Sequence, residues 1–184
     1  MMSETLNSQL FISPVEKSSD KVTYWSEANE HIVQIEQINR AVFGPGRFVR
    51  ASYLLRESGE HDRRFSFVAC LENYVIGSVR MTSVQIGIQS AYLLGPLVVR
   101  PGYENSGIGS RLMQTVLQAV KDYNIGLIIL VGNKEYYGRF GFKNVKYKQI
   151  HMPAPVEPQR LLALELQEGI LKAVRGRVRY RLCD

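Results

Sequence analysis

The sequence predicts a mixed α/β fold with a mostly antiparallel central sheet that contains one parallel pair of strands. Three features carry this reading. Strand-like runs at 65–71, 74–84 and 90–99 are joined by connections short enough to imply antiparallel neighbours. Ile108, Leu112, Val116 and Val120 recur at four-residue steps, with Met113 and Leu117 beside them, as on the apolar face of a helix. The apolar run 126–131 follows that helix. Strand 90–99, helix and strand 126–131 therefore read as a βαβ crossover with parallel strands.

The remaining elements follow in order. Residues 1–20 are polar and mixed in charge, without a basic start or a long apolar centre. They predict a flexible arm ahead of a single domain over 21–184. A short strand is expected at 21–25. Ser26 is then expected to cap a helix reaching 42, because a serine oxygen accepts from unpaired N–H groups. Ile32, Ile35, Ile38 and Val42 give that helix its stripe, and Gly44-Pro45-Gly46 breaks it. A second helix is expected over 48–57, with Ala51, Leu54 and Leu55 inward, before a polar loop at 58–62. Glu72-Asn73 and Gly87 mark turns between the three central strands. Pro96 has no N–H to give a ladder, so strand 90–99 is expected to be unpaired or bulged there. A short helix at 135–140 and strands at 145–152 and 161–166 complete the pattern. Arg175, Arg177, Arg179 and Arg181 alternate, as on one solvated face of a strand.

Composition narrows the function classes. The 184 residues are 45% hydrophobic and 22% charged, which suits one globular domain. No apolar run is long enough to span a bilayer, so no membrane partner and a cytoplasmic location are expected. Cys70 and Cys183 form no disulfide framework or zinc pair, and Cys70 lies in an apolar run that predicts a packed core thiol. His31, His61 and His151 lack ligand spacing, so no metal is expected. A net charge of +6 and a pI near 9.4 suit an anionic ligand. Nucleic acid is not the expected partner, because the alternating arginines carry only Tyr180 as an interleaved aromatic.

The candidate chemistry starts at Glu104-Asn105-Ser106-Gly107-Ile108-Gly109, between a strand end and a helix start. A helix N-terminus offers unpaired N–H groups and a positive dipole end, which attract phosphate. Gly107 and Gly109 are read as positions where a ligand approaches bare backbone. Two familiar phosphate motifs are excluded. A P-loop needs Gly-Lys-Ser/Thr where this chain offers Gly107-Ile108-Gly109. The dinucleotide fingerprint needs a third glycine where Leu112 stands.

This segment resembles the Gln/Arg-x-x-Gly-x-Gly/Ala motif of the GNAT superfamily of acetyl-CoA-dependent N-acetyltransferases. The preceding Leu94-Gly95-Pro96-Leu97-Val98-Val99-Arg100-Pro101 and the following Gly132-Asn133-x-x-Tyr136-Tyr137-Gly138-Arg139-Phe140-Gly141-Phe142 are similar to its flanking motifs. The resemblance extends more weakly to 41–48 and 162–166. It implies a splayed parallel strand pair, helices on both faces of the sheet, and acyl transfer from acetyl-CoA to an amine-bearing acceptor. It places the cosubstrate on the backbone of Leu97, Val98 and Val99, on Glu104, Asn105, Ser106, Gly107, Ile108, Gly109 and Ser110, and beside Asn133 and Tyr136. It makes Tyr137 the acid that protonates the leaving thiolate, with Tyr136 as the alternate donor. Homodimers are common in the superfamily.

One position departs from the motif. Glu104 stands where the family has Gln or Arg, and a carboxylate repels a diphosphate. Arg100 and Arg111 are the candidate compensating charges. Glu57, Glu60, His61 and Glu135 are candidates by type for the base. The acceptor is expected near 44–48, 58–62 and the strand around Arg80. A non-catalytic acyl-CoA-binding or regulatory domain is the rival reading, fed by Glu104.

Overall fold

The computed structural model describes residues 21–182. The arm expected at 1–20, and Cys183, lie outside the described residues. Strand β1 (Val22–Ser26) precedes a 3-10 turn (Asn29–His31) and helix α1 (Ile32–Phe43). A second such turn (Pro45–Val49) leads into α2 (Ala51–Glu57), and a third (Arg63–Phe65) into the meander β2 (Phe67–Leu71), β3 (Tyr74–Ile86) and β4 (Gln89–Val99). Then come α3 (Ile108–Ala119), β5 (Leu127–Val131), α4 (Lys134–Tyr137), β6 (Lys143–Asn144), β7 (Ile150–His151), β8 (Leu161–Glu165), α5 (Ile170–Ala173) and β9 (Gly176–Tyr180).

The sheet runs β1-β2-β3-β4-β5-β8-β6. β4 and β5 form the expected parallel pair, while the other neighbours on that path are antiparallel. β9 pairs antiparallel with the end of β3 and parallel with β7, a second, two-residue parallel pairing that the sequence did not signal. Helices α1 and α3 cover opposite faces. Phe67 and Ala69 join Leu112, Met113 and Val116 of α3 in one core. Val68 and Cys70 turn the other way to meet Ile35 and Ile38 of α1. Cys70 is the buried core thiol its apolar run predicts. Among the described residues no helix is long and apolar enough to cross a membrane.

Several boundaries differ from expectation. Ser26 does not cap a helix, because it is still paired with Phe67 at the end of β1. The chain instead enters its first turn at Ala28, whose N–H donates to His31 Nδ1 at 3.0 Å. Val42 leaves the core stripe and is 42% exposed. Arg50 is extended (φ −75°, ψ 137°) and splits the expected helix 48–57, and Leu54 stays outside the core. The expected strand 145–152 survives only as β7, since a turn with Lys148 at φ 60° interrupts it. Arg175, Arg177 and Arg179 lie exposed, with Val178 buried between the last two, as the alternation predicts.

Gly77 sets how closely α3 approaches the sheet. A Cβ there would sit 2.9 Å from Ile108 Cγ2, 3.1 Å from Leu112 Cδ1 and 3.2 Å from the Val98 carbonyl. The helix therefore starts almost on the β3 backbone, opposite Val99. Replacing Gly77 with alanine overpacks this contact. We expect a loss of about 1–3 kcal/mol, read as a lower urea midpoint at unchanged slope. An unchanged midpoint would show that α3 has room to move.

Candidate active site

β4 and β5 pair only at Tyr92↔Ile128 and Leu93↔Ile129. Beyond those residues each strand follows its other neighbour. β5 stays on β8 as far as Val131↔Leu161, and β4 stays on β3 as far as Val99↔Gly77. The β3–β4 register shifts between Val79↔Leu97 and Met81↔Leu94, so Gly95 and Pro96 together face Arg80. This is the bulge expected at Pro96. The edge of β4 towards β5 has no neighbouring strand from Leu94 onward, and the sheet opens as a wedge.

A cleft of about 960 Å³ fills the wedge. Its wall brings together Leu97, Val98 and Val99 from β4, Glu104, Asn105, Gly107, Ile108, Gly109 and Ser110 from the turn into α3, and Asn133, Tyr136 and Tyr137 around α4. Of the residues on which the cosubstrate was expected to lie, Ser106 is off this wall. Its hydroxyl donates to the Tyr103 carbonyl at 2.5 Å and fastens the turn. Glu135, a candidate base, lines the cleft as well, and so do Val42, Tyr103 and Arg139, which were not foreseen as parts of it.

The turn is shaped for an anion. Asn105 (φ 58°) and Gly107 (φ 84°) are left-handed, and α3 starts at Gly107 with no side-chain cap. The first intrahelical bond is Arg111 N–H to the Gly107 carbonyl, 2.9 Å. The uncapped N–H groups before it are the donors that a phosphate accepts from. A Cβ on Gly107 would meet nothing within 4 Å, so the ligand side is open. Gly109 has a different reason for being glycine. A Cβ there would lie 2.8 Å from Tyr136 Oη, so the missing side chain makes room for the tyrosine.

Charge at the turn is settled locally. The Glu104 carboxylate accepts from Gly102 N–H at 2.6 Å and is bound into its own loop. Neither expected compensating cation lines the cleft. Arg100 donates instead to the Val75 carbonyl. The cation at the turn is Arg139, whose guanidinium donates to Ser110 Oγ at 3.2 Å and to the Tyr136 carbonyl at 3.1 Å, and lies 4.2 Å from the Tyr136 ring centre. The visible signal was an arginine three residues after Tyr136 in a short helix.

Two tyrosines close the wedge. Asn133 Oδ1 caps α4 by accepting from Tyr136 N–H at 3.2 Å. The Tyr136 and Tyr137 rings meet edge to face at 4.9 Å, and Tyr137 also meets Phe142 at 6.1 Å. Gly132 lets the Tyr137 ring lie against the end of β5, where a Cβ would be 2.2 Å from its edge. Burial pushes the Tyr137 phenol up to about 12; Tyr136 adds to this and Arg160 opposes it. Among the described residues nothing hydrogen-bonds its hydroxyl. The group is a neutral proton carrier with a free O–H.

A second cavity of about 200 Å³ lies at the bulge, next to Pro96. Arg47, Gly59, His61 and Arg80 line it, which unites the three segments expected to meet an acceptor. Of the four base candidates, Glu57 and His61 are here, Glu135 is in the cleft, and Glu60 lines neither. Sequence reasoning missed Glu27 beneath this cavity. Arg80 grips its carboxylate through Nε at 2.8 Å and Nη2 at 2.7 Å, and His61 Nε2 lies 3.1 Å from Oε1. Burial alone would raise the Glu27 pKa. The neighbouring His61 and Arg80 outweigh it and hold the carboxyl at about 2.

Residues 32–142, three fifths of the chain, match the profile of the acetyltransferase (GNAT) family. The chain belongs to this family. It is similar to the uncharacterized N-acetyltransferase YhbS of Escherichia coli K12, 24% identical over 111 residues. That alignment covers 59% of this chain and 66% of the relative, so the chain spans just under two thirds of the curated relative's length. The crystal structure of E. coli YhbS with CoA superposes with a TM-score of 0.74 at 22% identity, over 88% of this chain and 90% of that one. A GNAT acetyltransferase from Brucella melitensis in complex with acetyl-CoA gives 0.64 at 23%, over 87% and 96%. These neighbours share the mixed sheet, its parallel pair and the flanking helices, as the GNAT resemblance implied.

The Glu27 cluster has a pH signature. A carboxyl held at about 2 when folded and 4.5 when free stabilises the fold fully above pH 4.5. That contribution is lost as pH falls towards 2. The stability difference between wild type and Glu27→Gln should therefore be largest above pH 4.5 and shrink below it, measured by urea unfolding across that range. A difference that stays constant with pH would show that Glu27 is not held as an ion pair.

Proposed function

We propose that this protein is a cytoplasmic N-acetyltransferase that moves an acetyl group from acetyl-CoA to an amine in the cavity beside the β4 bulge. The supporting observation is the meeting of two cavities on one piece of backbone. Pro96 lines one, and Leu97, the next residue, lines the other. An acyl carbon held at the bulge is thus reachable from both sides.

Acetyl-CoA supplies an activated acyl group and a thiolate leaving group. The uncapped N–H groups at the start of α3 and the Arg139 guanidinium suit its diphosphate. The free edge of β4 at Leu97, Val98 and Val99 suits its amide-bearing arm, which can pair there like an added strand. Glu104, Asn105 and Ser106 build the turn, and Asn133 and Tyr136 hold the cleft wall. Tyr137 Oη delivers a proton to the departing sulfur, since its raised pKa keeps the hydroxyl protonated. The base we assign is His61. It lines the acceptor cavity, with its Nε2 3.1 Å from the Glu27 carboxylate.

The test is thiol release from acetyl-CoA against a panel of amines. Tyr137→Phe should lower kcat by about 10²–10⁴-fold, with the KM for acetyl-CoA little changed. The wild-type rate should show no loss from phenol ionisation up to the ordinary tyrosine value of 10.0. His61→Gln should lower kcat by about 10²-fold or more without weakening CoA binding. Acetyl-CoA binding with no turnover on any amine would replace this reading with that of an acyl-CoA-binding domain.

A further inference from the structure

Two of the polar groups that line the acceptor cavity, Arg56 and Asn39, can receive a ligand, and they differ in kind. Three guanidiniums line it: Arg47, Arg56 and Arg80. Arg80 is saturated by Glu27 and by Glu36, 3.2 Å from its Nη1. Arg47 donates to the Gly44 carbonyl at 2.9 Å. Among the described residues Arg56 makes no hydrogen bond or ion pair, and its recorded contact is the Tyr53 ring at 5.7 Å. Its Nη1 lies 3.9 Å from where a Cβ on Gly95 would stand, so the cation sits at the bulge.

The opposite charges nearby are already engaged. Glu36 accepts from Arg80 and from Asn39 Nδ2 at 3.3 Å, and Glu57 accepts from the Tyr53 hydroxyl. Burial pulls the Arg56 pKa down to about 10; Arg80 and Arg50 push the same way, against Tyr53 and Glu36. Half-buried in the cavity wall, this cation has no anionic partner, and a bound carboxylate would supply one.

The second group is Asn39. It is 6% exposed and lines the same cavity, and its Oδ1 has no hydrogen-bond partner among the described residues. The amide orientation follows from Nδ2 donating to Glu36. A buried carbonyl oxygen of this kind accepts from an N–H of a ligand.

Building on the acetyltransfer reading, we propose that the acceptor is a small amine that also carries a carboxylate, as a free α-amino acid or a very short peptide does. Its carboxylate binds Arg56 and its amino group is received by Asn39 Oδ1, beside the Gly95–Pro96 bulge. A cavity of about 200 Å³ suits a group of amino-acid size better than a folded protein surface.

The test pairs amino acids with their carboxamides, and short peptides with free and amidated C-termini, in the thiol-release assay on the full chain. The free-acid member of the true pair should show a kcat/KM about 10- to 100-fold higher, and which pair responds separates a free amino acid from a peptide end. Arg56→Gln should bring that ratio close to one, mainly through KM, and Arg56→Lys should restore part of it. Thermal melting supplies a readout independent of turnover: Arg56→Gln should melt at or above the wild type, because a half-buried charge without an anionic partner is removed. Equal turnover of acids and carboxamides by the wild type, a ratio unchanged in Arg56→Gln, or a marked drop in its melting temperature would overturn this assignment alone. No turnover on any amine would instead overturn the acetyltransfer reading, and this assignment with it.

Discussion

The separation of β4 from β5 governs the rest of the site. Two residues of parallel pairing hold the halves of the sheet together at one end, and each strand then remains with its antiparallel partner. The bulge at Gly95 and Pro96 lies one residue beyond Leu93, the last residue of β4 paired with β5. Proline has no N–H to offer a neighbour, so a strand that must leave its partner loses least there. Strand separation exposes polar backbone, which must find another partner. A cleft between the two halves is where an extended, amide-bearing ligand meets that need.

The helix behind the wedge depends on the same geometry. α3 sits close to β3 because Gly77 offers no side chain, and that contact aims the uncapped start of the helix at the mouth of the cleft. Glu104, which looked electrostatically wrong in sequence, accepts a hydrogen bond from Gly102 two residues away. Its charge is turned to building the loop. The cation then comes from the far side, on Arg139, which bridges α4 to Ser110 at the start of α3. One guanidinium thus ties together the two walls that the strand separation left apart.

The sequence made the meander, the crossover and the anion turn legible because their signals are local: alternation, four-residue steps and glycine placement. Nearly all the cleft residues named from it line one wall, although Ser106 serves the turn from behind. What stayed hidden depends on contacts distant in the chain. Glu27 meets Arg80 across 53 positions, and no local pattern announces that. Ser26 looked like a helix cap because nothing nearby revealed its pairing with Phe67. Gly109 looked like a place for ligand, yet its neighbour is Tyr136, 27 positions on by sequence number. Arg50 and Lys148 broke expected elements through backbone angles that side-chain periodicity does not encode.

The two faces of the bulge are tuned in opposite senses. On the cleft side, Tyr137 is pressed among aromatic rings and lifted to about 12, so it keeps its proton. On the acceptor side, Glu27 is held at about 2 by His61 and Arg80, so it keeps its negative charge. An amine must lose a proton as it attacks, and a thiolate must gain one as it leaves. In the proposed reaction the first proton departs towards His61, steadied by the Glu27 charge, and the second arrives from Tyr137. Burial of Tyr137 on one side of β4 and the Arg80 clamp on Glu27 on the other hold the two groups in the protonation states that the two halves of the proposed transfer need.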